Sequence, residues 1–273
     1  MAAVLVIEDN ATNLKLATLL LTRAGHTVLA AADAETGLTL AHLEKPELIL
    51  MDIQLPGMDG LAATALLKQD PATAGIPVIA LTAMAMKADQ DRSRLAGCDG
   101  YITKPLRYQE LYAAIDTLLV NRRVEAAGQQ PEPHHVPSLF VREETTVDSP
   151  ARGPGPPPVD VSMLESLVGS DPVVILDFLT DFRASAQLIG TALLAACRSA
   201  DAVTVGAQAH KLKSSARSVG AQALGDLCER LEAAAKAGRL DTLGVLCPVF
   251  ERDLHLVLAY LDARTAVPPA VTA

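Results

Sequence analysis

Residues 47–60 read ELILMDIQLPGMDG. An uninterrupted apolar run from Leu48 to Met51 ends in the carboxylate of Asp52, and Pro56 and Gly57 follow closely. A short apolar run bounded by turn residues is typical of a strand that is buried on both faces of a sheet. The stretch therefore predicts a central strand with an acidic side chain at its carboxyl end.

Four further aliphatic runs surround this strand and share its character. They are AVLVIE (3–8), TVLAA (27–31), PVIAL (77–81) and GYIT (100–103), and helical patterns lie near 12–24, 34–44, 59–69, 84–96 and 108–121. Strands that alternate with helices favour right-handed crossovers and a parallel sheet. Residues 1–122 are therefore predicted to form a doubly wound α/β domain around a parallel five-stranded sheet.

The composition changes after residue 122. Eight of the 17 prolines lie in residues 123–158, which predicts a disordered linker because such a segment buries little apolar surface. Residues 159–264 carry no strand pattern, and helical stretches near 160–168, 172–198, 201–219, 221–237 and 240–262 are separated by short breaks. This pattern predicts an all-α four-helix bundle with an extra N-terminal helix. A disordered tail is expected at 265–273.

Composition narrows the class of protein. The chain of 273 residues has a net charge of −9, which argues against a nucleic-acid binder held by phosphate contacts. No apolar run reaches the roughly 18 residues of a membrane span, and the N-terminus lacks the basic region of a signal peptide. The four cysteines show no CxxC motif and are interpreted as buried thiols in a reducing compartment. We therefore expect a cytoplasmic protein.

Polar residues follow four of the predicted strands, at the edge where an open parallel sheet binds ligands. They are Glu8 and Asp9 after the first strand, Asp52 after the third, Thr82 after the fourth and Lys104 after the fifth. Carboxylates that converge in this way repel one another, and their oxygens suit Mg²⁺. One carboxylate can act as a nucleophile toward phosphorus while the lysine and the hydroxyl stabilise the transferring group.

These motifs closely resemble those of response-regulator receiver domains, especially stand-alone cell-cycle receivers. The resemblance is carried by IEDN (7–10), LILMDIQLPGMDG (48–60), LTA (81–83) and YITKP (101–105) and covers residues 1–122. It implies a flavodoxin-like fold in which Asp52 is the phosphoacceptor and a cis bond precedes Pro105. It further implies that Asp9, Asp52 and the backbone carbonyl of Gln54 bind Mg²⁺, with Glu8 acting through water. Thr82 and Tyr101 match the switch pair, and Lys104 matches the phosphate-binding lysine.

One histidine stands out in the second domain. In the helix predicted at 201–219, Val205, Ala209, Leu212, Ala216 and Val219 form one apolar stripe. At about 100° per residue, His210 lies roughly 140° from the centre of that stripe, and Lys213 and Arg217 flank the same outer face. We therefore expect His210 to be substantially exposed amid cations, with Leu212 and Val219 buried. A neutral imidazole is a good phosphorus nucleophile near neutral pH.

The segment AHKLKSSARSVGA (209–221) resembles the signature of histidine-containing phosphotransfer domains, and the resemblance extends from about Asp160 to Ala263. It implies that His210 is phosphorylated and that Lys213 is its accompanying lysine. The sequence departs from the family pattern at Ser214, where the family usually has glycine.

Three interpretations of function follow. The preferred one is a phosphorelay intermediate without an ATP-dependent kinase domain, whose partners are a sensor histidine kinase and other receiver or phosphotransfer proteins. In the alternative, phosphorylation of Asp52 controls docking of the second domain without transfer between the two sites of one chain. The third is a phosphatase with an Asp nucleophile, which Gln54 disfavours because such enzymes place a second Asp there.

Exchange within one chain is also predicted. A flexible linker between residues 123 and 159 has an r.m.s. reach of about 30–36 Å, which is long enough to bring His210 to the Asp52 pocket. An apolar patch near the first helix, where Leu14 and Leu16 lie, is the candidate docking surface on the first domain; the alternative is that either leucine belongs to the core.

Overall fold

The structure is a computed structural model that describes residues 1–82, 87–126 and 157–265. Its five strands are β1 (Ala3–Ile7), β2 (Thr27–Ala31), β3 (Leu48–Asp52), β4 (Val78–Thr82) and β5 (Gly100–Thr103). All four pairings are parallel, and the strand order is β2-β1-β3-β4-β5. The predicted five-stranded parallel sheet is therefore confirmed, and the order places the ends of β1 and β3 side by side.

Five helices cover this sheet. They are α1 (Ala11–Arg23), α2 (Ala34–Glu44), α3 (Gly60–Gln69), α4 (Lys87–Leu95) and α5 (Tyr108–Ala126). All residues of β3 and β4 are buried, because helices pack on both faces of the sheet. Apolar side chains on the two faces belong to separate clusters, one with Val4, Val6 and Leu50 and the other with Leu5, Ile7 and Ile49. This division follows from the alternation of side chains along a strand.

The second half of the described chain is helical. It consists of α6 (Val161–Val168), α7 (Pro172–Arg198), α8 (Ala202–Ser218), α9 (Gln222–Lys236) and α10 (Leu240–Thr265). The side chains of Asp160, Asp171 and Asp201 cap α6, α7 and α8 by accepting backbone N–H groups. Phe178, Phe182 and the aliphatic side chains of these helices fill the core. The predicted helix bundle is confirmed.

Two of the four cysteines correct the sequence-based prediction. Cys197 at the end of α7 and Cys247 in α10 form a disulfide, whereas Cys98 and Cys228 are free thiols. The pairing carries no local sequence signal, because the two residues are 50 positions apart and meet only when α7 packs against α10. The interpretation of all four as thiols is wrong, and the cysteines no longer support a reducing compartment.

The two halves pack against each other through α1. Helix α1 contacts α6, α7 and α8, so the predicted docking surface on the first helix is confirmed. Leu16 is buried in an apolar cluster that also contains Phe178 of α7, and the half-buried Leu14 packs against the same cluster. Helix α1 therefore serves both the α/β core and the contact with the helical domain.

Several predictions concern the ends of the domains. Helix α5 continues to Ala126, past the predicted boundary at 122, and α10 continues to Thr265. Most of the predicted linker and tail lies outside the described residues, so the domain boundaries remain predictions. Within the described ranges, no helix combines the length and apolarity that crossing a bilayer requires.

Gly60 gives a test of how tightly the end of β3 packs. A Cβ atom at Gly60, the first residue of α3, would lie 1.9 Å from the carbonyl oxygen of Asp52. We expect Gly60→Ala to lower the free energy of unfolding by about 1–3 kcal/mol, because the backbone at Asp52 must shift. Gly75→Ala is the matched control, since nothing lies within 4 Å of its Cβ position. Urea denaturation measures both variants, and equal stability of the two would contradict the expectation.

Candidate functional site

Three carboxylates meet at the carboxyl edge of the sheet. Glu8 and Asp9 follow β1, Asp52 ends β3, and one oxygen of each lies within 4.8 Å of the others. Glu8 and Asp52 are buried, and Asp9 is half-buried. The strand order produces this cluster, because β1 and β3 are neighbours and end at the same edge. The predicted convergence of these residues is confirmed.

Lys104 joins two of these carboxylates. Its Nζ lies 2.5 Å from Oε2 of Glu8 and 2.7 Å from Oδ2 of Asp52, and its side chain is 5% exposed. The peptide bond between Lys104 and Pro105 is cis, as predicted. Burial by itself would lower the pKa of Lys104, but the charges of Glu8 and Asp52 outweigh burial and raise the pKa. Lys104 is therefore a fixed cation at the back of the pocket.

Glu8 is the most buried member of the cluster. Burial raises the pKa of Glu8 to about 7, although the charge of Lys104 opposes this shift. Its Oε1 accepts a hydrogen bond from Nδ2 of Asn13 at 3.1 Å and a longer one from the backbone N–H of Asn10. The first turn of α1 thus holds Glu8 from one side while Lys104 holds it from the other.

The remaining predicted pocket residues flank the carboxylates. The backbone N–H of Gln54 donates to Oδ1 of Asp52 at 3.1 Å, which fixes the turn after β3 beside this carboxylate. Thr82 ends β4 and is buried, and the half-buried Tyr101 lies in β5, opposite Ala80 of β4. These positions agree with the predicted arrangement, while the ligand and switch roles remain predictions.

His210 belongs to a buried charge network inside the helical domain. Its Nδ1 lies 3.1 Å from Oε1 of Glu232 on α9, and Nζ of Lys213 donates to the other carboxylate oxygen at 2.7 Å. Lys236 also donates to Oε1 of Glu232, at 2.6 Å. Burial by itself would raise the pKa of Glu232, but the hydrogen bonds and charge of its basic neighbours outweigh it and lower the pKa. Glu232 is therefore an anion that fixes the imidazole.

Two expectations for helix α8 are wrong. The side chain of His210 is only 16% exposed, and Lys213 is almost fully buried instead of lying on an open face. The reason is that this side of α8 faces α9, whose acids neutralise it; Arg217 likewise pairs with Asp226 and Glu229. Leu212 and Val219 are fully buried, as predicted.

Helix α8 also lies against the acidic pocket. Nζ of Lys211, the residue after His210, is 2.6 Å from Oδ2 of Asp9. Nδ2 of Asn10 donates to the carbonyl oxygen of Lys211 at 2.7 Å, and Nδ2 of Asn13 donates to Oγ of Ser214 at 2.9 Å. Because residues four apart share a helix face, His210 lies one turn from Ser214 on the side that meets the pocket.

A second group of contacts supports this orientation from α7. Nζ of Lys15 lies 2.6 Å from Asp177, also pairs with Asp181, and stands 5.0 Å above the ring of Phe178. Arg23, at the other end of α1, donates to the carbonyl oxygen of Val168. The contact therefore runs along the whole of α1 and orients α8 over the pocket.

Sequence reasoning missed four residues of this site. Glu232 lies in the CERLE stretch at 228–232, within the predicted helix after His210, but nothing local identifies its partner. Asn10, Asn13 and Lys211 carry no signal for contact between domains, because their partners are about 200 residues away. The local signal is Lys236, four residues after Glu232 on the same helix, which indicates a helical ion pair but not the contact with His210.

The donor set of the pocket fits a divalent metal ion. Three carboxylates face two lysines, Lys104 and Lys211, so one negative charge is left over when all five groups are ionised. All nearby donors are oxygens, which suits a hard cation such as Mg²⁺. Asp9, beside Asp52 and paired with the partly exposed Lys211, is the carboxylate best placed to exchange its cation for a metal.

Comparison with known protein families identifies two domains. Residues 4–116 match the response regulator receiver domain family, and residues 174–263 match the Hpt domain family. The polar-differentiation response regulators DivK of Brucella anthropi and Brucella ovis are each 42% identical to this chain over 117 residues. That match covers 43% of this chain and 95% of each relative.

Solved structures resemble the first domain. One is the receiver domain of a sensor histidine kinase from Pseudomonas aeruginosa, solved with a magnesium ion in its active site cleft. It is 30% identical with a TM-score of 0.42, and the match covers 44% of this chain and 98% of that structure. Another is a CheY-like receiver domain protein from Methanospirillum hungatei, which is 29% identical with a TM-score of 0.43. The match covers 46% of this chain and 98% of that structure. Because it matches 95% of a relative at 42% identity, the chain belongs to the response regulator family, and its receiver domain is followed by an Hpt domain in the arrangement of a two-component phosphorelay protein.

Proposed function

We propose that the chain accepts a phosphoryl group on Asp52 and on His210, and that the two residues exchange it within one molecule. The observation that carries this proposal is the position of α8 beside the acidic pocket. Within the turn that follows His210, Lys211 pairs with Asp9 of the pocket, and Ser214 accepts a hydrogen bond from Asn13, which also donates to Glu8. A helix that presents a histidine beside a carboxylate pocket has the elements of a phosphoryl exchange.

The Glu232 contact prepares His210 for this chemistry. A carboxylate accepts hydrogen bonds only, so Nδ1 of the neutral ring carries the proton and Nε2 keeps its lone pair. Nε2 is then the atom that bonds to phosphorus. In the exchange toward the receiver, the P–N bond at Nε2 breaks and its electron pair returns to the ring, while an Asp52 carboxylate oxygen forms the new P–O bond. The reverse step returns the group to Nε2, and no proton is consumed.

The receiver supplies charge at the acceptor. Lys104 already contacts Asp52, and we propose that it follows the phosphoryl oxygens as the acyl phosphate forms. Bound Mg²⁺ would neutralise charge on the same oxygens, held by Asp9, Asp52 and the carbonyl of Gln54, with Glu8 through water. Thr82 and Tyr101 are proposed as the pair that responds to the phosphorylated state.

Exchange with other proteins needs the two domains to separate. Because α8 and α1 bury each other's surfaces, a sensor histidine kinase or another receiver gains access only when the docked state opens. The proposed partners are therefore histidine kinases and other phosphorelay proteins in the cytoplasm. A second candidate function uses the same contacts: phosphorylation of Asp52 changes docking through Glu8 and Asn13, and His210 exchanges phosphate with other proteins only.

Dilution separates these two functions. Asp52 is loaded with a small phosphodonor in the presence of Mg²⁺, and phosphate on His210 is followed by residue mapping over a roughly hundredfold range of protein concentration. We expect a rate constant that does not change with dilution, because covalently joined sites meet at an effective concentration in the millimolar range. Asp52→Ala should block entry of the label, and His210→Ala should keep it on Asp52. Label that never reaches His210, or reaches it in proportion to protein concentration, rules out exchange within one chain.

The positioning role of Glu232 gives a separate test. We expect Glu232→Ala to lower the free energy of unfolding of the helical domain by about 3–5 kcal/mol, because it leaves the buried Lys213 without its counter-charge. Glu229→Ala on the same helix breaks a more exposed pair and should cost under about 1 kcal/mol. Heteronuclear NMR of the imidazole should also show that the Nδ1–H tautomer of His210 is less populated in Glu232→Ala. An unchanged tautomer would remove the positioning role.

A further inference from the structure

Asn13 occupies a central position between the two domains. Its side chain is 6% exposed, and its Nδ2 donates both to Oε1 of Glu8 and to Oγ of Ser214. An amide nitrogen carries two hydrogens, so these two bonds use its full donor capacity. One hydrogen serves the acidic pocket and the other serves the helix that carries His210.

Asn10 makes a parallel link one turn earlier. Its Oδ1 caps α1 by accepting from the backbone N–H groups of Thr12 and Asn13, which leaves Nδ2 free to reach α8. That nitrogen donates to the carbonyl oxygen of Lys211 and, at 3.3 Å, to Oγ of Ser215. The nearest acceptor for Nδ2 of Asn10 is the backbone carbonyl oxygen of Lys211. Every α-helix offers backbone carbonyls, so this hydrogen bond distinguishes poorly between docking partners.

The ion pairs on the α7 side of the contact are also poorly selective. Lys15 pairs with Asp177 and Asp181, whose side chains are 61% and 49% exposed. Exposed ion pairs contribute little to binding and accept many geometries. By contrast, Ser214 is 8% exposed and Asn13 is 6% exposed, so their hydrogen bond is shielded from water.

We propose that Asn13 and Ser214 form a specificity-determining pair that selects the chain's own receiver as the docking partner of α8. If the partner lacks the Asn13 amide or the Ser214 hydroxyl, the remaining group is buried without a hydrogen bond, and water does not reach it to replace the missing partner. Docking is then weaker. The inference rests on the proposed function in one respect: the docked pair is taken to be the transferring pair. It assigns a task to Ser214 that lies outside the chemistry of His210.

Cross-linking measures docking without any phosphate or Mg²⁺. A zero-length carbodiimide joins Lys15 to Asp177 or Asp181 only when α1 and α7 are in contact. The pair Lys68–Asp99, 2.8 Å apart and within the receiver, gives an internal reference that docking does not affect. A mixture of isotopically light and heavy full-length chains distinguishes links within a chain from links between chains. Initial cross-linking rates over a urea series, below the unfolding transition, give the docking equilibrium constant.

The expected result is non-additive. Ser214→Ala should lower the docking constant about tenfold, which corresponds to the loss of one buried hydrogen bond. Asn13→Ala should lower it at least as much, and adding Ser214→Ala to Asn13→Ala should change it no further, because both remove the same bond. Ser218→Ala is the matched control, since its hydroxyl donates to a carbonyl of its own helix, and it should leave docking unchanged.

Two results overturn the inference: Ser214→Ala within twofold of the wild type, or effects of the two substitutions that multiply independently. If Asn13→Ala does not fold, the comparison of Ser214→Ala with Ser218→Ala decides alone, because alanine is a strong helix former. Failure of phosphate exchange with intact coupling between Asn13 and Ser214 would overturn the proposed function and leave this inference standing. Intact phosphate exchange without coupling between Asn13 and Ser214 would overturn this inference and leave the proposed function standing.

Discussion

Concentrated negative charge at the carboxyl edge of β1 and β3 constrains most of the surrounding structure. Cations held against three carboxylates within 4.8 Å of one another offset their repulsion, and the fold supplies these cations from two sources. Lys104 comes from the receiver, through the turn after β5, and binds Glu8 and Asp52. Lys211 comes from the helical domain and binds Asp9. Neutralisation of the pocket and association of the two domains are therefore partly the same interaction.

Helix α8 is divided into three faces by what it contacts. The apolar stripe faces the bundle core. At about 100° per residue, the second face lies about 80–140° from the centre of the stripe, beside the acids of α9, and carries Lys213, Arg217 and His210. The third face is on the side of the receiver and carries Ser214, Lys211 and Ser215. His210 borders the last two faces. Glu232 holds one edge of its ring, and in the proposed function the other edge receives the phosphoryl group.

The sequence predicted the receiver well because its signals are local. Each strand is a short apolar run, and each pocket residue directly follows one, so the parallel topology alone brings Glu8, Asp52 and Lys104 together. Prediction failed where a partner belongs to another element. A helical projection predicts an open face for Lys213 because it shows the apolar stripe but not the neighbouring helix that carries Glu232. The Cys197–Cys247 bond and the Asn13–Ser214 contact were missed for the same reason, since only tertiary packing brings those residues together.

The contact between the domains combines attraction with a limit on its strength. Beside the apolar packing of Leu14 and Leu16, the buried polar part around Asn13 and Ser214 is small, and the α7 side adds pairs between Lys15 and two exposed aspartates. Polar contacts of this kind fix register, but they add less free energy than an apolar interface of the same area. Covalent connection compensates, because it keeps the partner at a high local concentration. An interface with a defined register that can also open is what the proposed relay requires, because in that proposal His210 meets Asp52 in one orientation and leaves it for a partner in another molecule.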